Sequence, residues 1–88
     1  MKKIKLDNGL TVSVDEGKLD NIELMDAMVD ADDGNPMGVS RVIRILLNDT
    51  DRKALYDQLR GEDGRVPTSS ITPVIVEIFT KLGEQGKN

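Results

Sequence analysis

An Asn-Gly pair near the start of the chain separates two short runs in which apolar and polar residues alternate. Alternation turns one face of a strand toward a core, and Asn-Gly favours a type I′ turn because both of its central residues need positive φ. We therefore predict a β-hairpin over residues 3–14 with its turn at Asn8-Gly9. Because an isolated hairpin is marginal in water, it must lie against helices or pair with another chain. Its apolar residues are Ile4, Leu6, Leu10, Val12 and Val14.

Four segments after the hairpin place apolar residues at the spacing of amphipathic helices. We predict helices over about residues 20–31, 37–47, 50–60 and 70–82, followed by a tail over 83–88. The predicted fold class is α+β and mainly α, an N-terminal β-hairpin followed by four short helices in a single domain. The apolar stripes are Ile22, Met25, Met28 and Val29; Val39, Val42, Ile43, Leu46 and Leu47; Leu55, Tyr56 and Leu59; and Ile71, Val74, Ile75, Ile78, Phe79 and Leu82.

Polar residues and glycines predict where these helices begin and end. With Ser70 as the cap of the last helix, Pro73 falls at its third position, where the missing N–H loses no helical bond. Gly83 is then expected to end that helix. The candidate caps of the first and third helices are Asp20 or Asn21 and Asp49 or Thr50.

Length and composition limit the chemistry of the chain. Its 88 residues suffice for one domain with a modest core, and because only Tyr56 and Phe79 are aromatic, that core must be aliphatic. The sequence has no cysteine and no histidine, which excludes disulfides, Ser-His-Asp and Cys-His catalysis, and histidine-ligated zinc. We therefore predict an interaction module with no catalytic residue, no cofactor and no metal site.

The charge balance and the hydropathy pattern bear on partners and location. Sixteen acidic against 12 basic residues give a net charge of −4, which disfavours binding to a phosphate backbone. No apolar run approaches the roughly 18 residues that a membrane span needs. The basic start at Lys2, Lys3 and Lys5 has no apolar signal core after it. The sequence thus predicts a protein that stays in the cytoplasm and has no membrane partner.

Three aspartates, Asp30, Asp32 and Asp33, lie just before Gly34 and suggest a calcium loop at first sight. Counted from Asp30, however, Gly34, Asn35 and Arg41 stand where the calcium-loop template needs an acid, a glycine and a glutamate. Acids at the negative end of a helix are also locally unfavourable. Two interpretations follow, a solvated helix end or an acidic rim that attracts a basic partner.

Methionines and the last helix offer candidate partner-binding residues. Met25 and Met28 lie on one stripe, and methionine is frequent on adaptable apolar binding surfaces as well as in core gaps. Ile75 and Phe79 widen the apolar face of the last helix beyond one narrow stripe. Both pairs can therefore be core residues or part of an exposed surface that a partner covers.

The order of these features resembles a known family. The motifs that carry the resemblance are Lys3-Ile-Lys-Leu-Asp-Asn-Gly, Leu19-Asp-Asn-Ile-Glu-Leu-Met, Arg41-Val-Ile-Arg-Ile-Leu-Leu, Tyr56-Asp-Gln-Leu-Arg, Gly64-Arg-Val-Pro and Glu77-Ile-Phe. Taken in this order over nearly the whole chain, they are similar to the small tail assembly chaperone-like proteins of long-tailed phages and prophages of Gram-positive bacteria.

The resemblance implies a function as well as a fold. Such proteins are thought to coat the tape measure protein, a long helical chain with apolar stripes, before the tail tube polymerises around it. The implied partner is the tape measure protein or another tail protein, held by helix-in-groove contacts between acidic rims. The candidate site would combine the Met25/Met28 stripe, the Ile75/Phe79 face and the rim of Asp30, Asp32 and Asp33.

A second hypothesis is a small regulator of the same genome, nucleic-acid-associated or antitoxin-like. It requires a clustered basic face, for which the candidates are Arg41, Arg44, Arg52, Lys53 and Arg65. The free edge of the hairpin could also pair between two copies of the chain and produce a homodimer.

Overall fold

The computed structural model describes residues 1–85, and within them a two-stranded antiparallel hairpin precedes four α-helices, which confirms the predicted fold class. No helix among these described residues is long and apolar enough to cross a bilayer. The elements are β1 (Lys2–Lys5), β2 (Thr11–Val14), a short 3₁₀ helix (Glu16–Leu19) that the sequence did not predict, α1 (Ile22–Asp32), α2 (Pro36–Leu46), α3 (Asp49–Leu59) and α4 (Thr68–Gln85).

The turn of the hairpin differs from the predicted type I′ turn. Leu6 and Leu10 close the loop, since the Leu6 N–H donates to the Leu10 carbonyl at 2.8 Å and the Gly9 N–H donates back to the Leu6 carbonyl at 2.9 Å. Of the loop residues Asp7, Asn8 and Gly9, only the glycine has a positive φ, +93°. A loop one residue longer than a type I′ turn, with glycine last, needs only one left-handed residue.

Hydrogen bonds to α3 and α4 hold the hairpin in place. The Ser13 N–H donates to Asp51 at 2.8 Å, and the Lys81 ammonium donates to the Lys5 carbonyl and to Glu77, each at 2.7 Å. The hydrogen bond to Glu77, together with one to Asp7, raises the pKa of Lys81 above its ordinary value. These contacts occupy backbone groups of both strands, which leaves less of the edge for pairing between chains.

Asparagines cap the first three helices. Asn21 accepts a hydrogen bond from the Glu23 N–H and so resolves the choice between Asp20 and Asn21. The prediction for α3 was wrong, because Asn48 rather than Asp49 or Thr50 is its cap. An asparagine oxygen has the same capping geometry as an aspartate oxygen. The remaining cap, on α2, is Asn35, with Pro36 as the first helical residue.

The bounds predicted for the last helix were too narrow at both ends. α4 begins at Thr68 because the Ser70 side chain donates to the Pro67 carbonyl at 2.6 Å instead of capping the helix. Pro73 therefore lies inside the helix rather than at its third position. Gly83 does not end it, since its φ is not positive and the helix continues to Gln85. The rest of the predicted tail, residues 86–88, lies outside the described residues.

The core is aliphatic, and α2 lies at its centre, packed against both α1 and α4. All five apolar residues predicted for α2 are buried, although the last, Leu47, follows the helix as its C-terminal cap. Among the described residues no charged or polar side chain is buried. The core residues are Ile4, Leu6, Val12, Val14, Leu24, Ala27, Val39, Val42, Ile43, Leu46, Leu47, Leu55, Ile71, Val74 and Ile78.

The contact between α1 and α2 is unusually close at Gly38. A Cβ atom at this position would lie 2.4 Å from the Ala31 backbone nitrogen and 2.8 Å from the Ala27 carbonyl oxygen. Glycine on one helix and alanines on the other therefore allow the two backbones to approach each other, and no larger side chain fits between them.

Candidate partner-binding groove

Helix α1 carries apolar residues on two different faces. Leu24 and Ala27 are fully buried against the core. Ile22, Met25 and Val29 are 72%, 45% and 61% exposed, although they form three of the four positions of the predicted apolar stripe. We call these three residues the exposed strip. Since they contribute little to the core, the strip remains available to a partner.

A groove runs between α1 and α4, because both helices pack on α2 but make little contact with each other. Its volume is about 240 Å³, below the roughly 300 Å³ at which small-molecule pockets begin. Its shape therefore suits side chains of a partner better than an enclosed small molecule. The groove is lined by Met28, Ala31 and Asp32 of α1, Val39 and Val42 of α2, and Thr72, Ile75 and Val76 of α4.

Of the four predicted apolar site residues, two line the groove and two do not. Met28 and Ile75 are half-buried and line opposite sides of the groove. Met25 lies outside the lining, on the same edge of α1 as Asp32, because residues seven positions apart are nearly aligned on a helix. Phe79 is half-buried and packs against the core rather than lining the groove. The sequence did not identify Val76, which is 59% exposed on the α4 side.

The three aspartates of the predicted acidic rim do not act together. Asp32 lines the groove, whereas Asp33 is the exposed C-terminal cap of α1. Asp30 forms a salt bridge with Arg41 of α2, which offsets its charge. Within residues 1–85, no three acidic side chains lie close enough together to hold a metal ion. Of the three predicted rim residues, only Asp32 therefore lines the groove.

A second surface, which we call the basic hollow, lies between α2 and α3. Arg52 pairs with Asp49 at 3.1 Å, and Arg60 pairs with Asp57 at 3.2 Å. Three of its four cations were among the predicted candidates for a basic face, but only the packing of α2 against α3 shows that they share one surface. The hollow is lined by Arg44, Arg52, Lys53, Tyr56, Asp57 and Arg60.

The basic face required by the regulator hypothesis is only partly assembled. Arg44, Arg52 and Lys53 meet in the basic hollow, but Arg41 is bound to Asp30 and Arg65 to Asp63. The backbone N–H of Arg65, and then its guanidinium, lower the pKa of Asp63 below its ordinary value. Two of the five candidate cations are thus held by local carboxylates away from the hollow.

Comparisons with known proteins place the chain in no family. A scan against protein-family models gave no match, and searches of curated proteins and of solved structures gave no significant one. A function for this chain must therefore be inferred from the geometry of the groove and from the resemblance of the sequence to tail assembly chaperone-like proteins.

Proposed function

We propose that this chain is an assembly chaperone that binds an amphipathic helix of a larger protein along the groove and the exposed strip. The observation that carries the proposal is the exposure of Ile22, Met25 and Val29 beside an apolar groove between two helices. Large apolar side chains that the core does not need are typical of a surface that a partner covers.

The form of the surface favours a helical partner. Helix-in-groove recognition uses apolar anchors three, four and seven positions apart on the bound helix. The groove supplies apolar walls on both sides, with Met28 facing Ile75 and Val76 above the floor residue Val42. Methionine adapts its shape to different contacts, which suits a chaperone that meets several similar segments of one long partner.

The acidic side chains near this surface indicate which partner segments bind best. Asp32 lines the groove, and Asp26 and Asp33 are exposed on α1. Carboxylates at the rim attract basic residues that flank an apolar stripe and speed the encounter between the two chains. We therefore expect an amphipathic helix flanked by lysine or arginine to bind more tightly than one flanked by acids.

The resemblance to tail assembly chaperone-like proteins supports a specific partner, the tape measure protein of a long-tailed phage or prophage. Its long helical chain exposes apolar stripes until the tail tube surrounds it. Copies of a small acidic protein bound along those stripes would keep the tape measure soluble in the host cytoplasm. In this proposal the chain acts only by binding its partner and catalyses no reaction.

Co-expression with the large helical protein encoded immediately downstream, followed by size-exclusion chromatography, tests the proposal. We expect the two chains to co-elute and the partner to aggregate when expressed alone. The double variant M25S/V76S should abolish co-elution, because it removes one exposed apolar side chain from the exposed strip beside the groove and one from the α4 wall of the groove. The free energy of unfolding should change little, since both side chains are largely exposed.

Met37 offers a matched control for this experiment. It is 72% exposed and belongs to α2, at about 140° or more around the helix from the floor residues Val39 and Val42. The variant M37S should therefore still co-elute with the partner. Equal loss of binding in M37S and M25S/V76S, or a partner that stays soluble without this chain, would show that the proposal is wrong.

A further inference from the structure

The basic hollow faces away from the groove. Arg44 in its lining and Val42 in the floor of the groove are two positions apart on α2, which places them about 200° apart around the helix axis. A molecule bound in the hollow therefore does not occupy the groove, and both surfaces can be filled at once.

Positive charge in the hollow is only partly offset by the chain itself. Two of the four lining cations, Arg52 and Arg60, have carboxylate partners. Arg44 and Lys53 have none among the described residues. Two uncompensated cations in one concavity repel each other, and a bound anion relieves that repulsion. In a chain of net charge −4, this local excess of positive charge stands out as a site for an acidic ligand.

We infer that the basic hollow binds an acidic segment of a second protein, one that carries at least two carboxylates. The planar guanidinium of Arg44 suits two-point binding of a carboxylate, and the ammonium of Lys53 suits a second carboxylate in several orientations. Tyr56, half-buried in the same lining, adds a ring surface and a hydroxyl group to the hollow.

A polypeptide fits this surface better than a nucleic acid does. Asp57 lies in the lining and Asp49 beside it, and both repel a strand that carries a phosphate at every nucleotide. Arg41 and Arg65 could have extended the basic surface, but each is bound to a local carboxylate elsewhere. Carboxylates on a polypeptide can be spaced so that they meet the two free cations and avoid the two aspartates.

The chain then has two independent binding surfaces of opposite character. The groove takes an apolar helix between acidic edges, whereas the basic hollow takes an acidic segment. A protein of this kind can link two partners, or two distant segments of one partner, and the second contact gains from the high effective concentration that the first provides.

Fluorescence anisotropy with a labelled glycine-rich peptide that carries two spaced glutamates tests the inference on the full chain. We expect binding that weakens as salt is added, and R44Q/K53Q should bind about tenfold more weakly because two charge-assisted contacts are lost. The control K18Q/R65Q removes the same types of charge from exposed positions outside the hollow. It should bind within about twofold of the wild type, since only general attraction changes.

Three results would overturn the inference. Equal weakening in both double variants would mean that the peptide senses only the overall charge. Tighter binding of a single-stranded oligonucleotide than of the peptide, with the same dependence on Arg44 and Lys53, would assign the hollow to nucleic acid. Salt-sensitive self-association in sedimentation velocity, lost in R44Q/K53Q, would assign it to a second copy of this chain. A monomer that binds the peptide through Arg44 and Lys53 supports it.

Discussion

Helices α1 and α2 have the same length, 11 residues each, and pack against each other, yet they use their apolar residues differently. α2 buries its whole apolar stripe, whereas α1 places small residues at the contact and leaves Ile22, Met25 and Val29 exposed. The difference follows from Gly38, where the two backbones come so close that no larger side chain fits. Ile22, Met25 and Val29 are therefore not required for packing on α2, and the proposed partner would account for their presence.

The largest difference in stability between the two faces of α1 is expected when Leu24 is shortened to alanine. Its side chain is fully buried, so L24A should lower the free energy of unfolding by about 2–5 kcal/mol. On the exposed strip, V29A should change it by no more than about 0.5 kcal/mol. Urea denaturation followed by circular dichroism measures both values. A cost for V29A close to that of L24A would mean that the exposed strip is part of the core.

A smaller effect is expected at the contact between the two helices. G38A places a Cβ atom against the Ala31 backbone, which should destabilise the fold by about 1–3 kcal/mol. The same exchange at Gly83, where the new atom meets nothing within 4 Å, should stabilise α4 by about 0.5–1 kcal/mol because alanine favours a helix. Thermal unfolding of both variants provides the comparison. Shifts of the same sign would argue against the close approach at Gly38.

The smallest effect concerns the salt bridge that joins α1 to α2. The side chains of Asp30 and Arg41 are 40% and 53% exposed, so their pairing should contribute only about 0.2–1 kcal/mol. A double-mutant cycle with D30N and R41Q at low ionic strength measures this coupling, and added salt should reduce it. Coupling that is larger or insensitive to salt would place the pair in a less solvated environment than its exposure indicates.

The hairpin and α2 could be predicted from the sequence because each has one pattern that points in one direction. Alternation identifies the buried faces of β1 and β2, and the five apolar residues of α2 form one stripe. The buried face of α1 was harder to predict, because the helix carries two apolar stripes. One consists of larger residues and includes Met25, and the other consists of Leu24 and Ala27. Only the stripe of the larger residues was predicted, and the close contact at Gly38 shows that the other stripe fits against α2.

Three of the seven predicted site residues line the groove, but the groove itself could not be predicted as a surface. Met28, Ile75 and Asp32 line the groove, yet Phe79 packs on the core and Asp30 is bound to Arg41. An apolar residue at the border of a helix's buried face can face either a groove or a neighbouring helix. Which of the two it faces depends on helix packing, and the local spacing of residues does not determine that packing. The same reason explains why three cations of the basic hollow were predicted as candidates for a basic face, but the hollow itself, shared by two helices, was not.

The lysine that holds the hairpin has a consequence for the order in which the protein forms during synthesis. Lys81 donates to the Lys5 carbonyl, a contact between residues 76 positions apart. The α1–α2 pair needs only neighbouring segments, so we expect it to form early, while the ribosome is still adding residues. The hairpin precedes all four helices, gains its hydrogen bond to Asp51 once α3 has been made, and gains its contact with Lys81 only when the end of α4 has emerged. Among the elements of this fold, the one that is translated first is therefore expected to gain its last contacts at the end of folding.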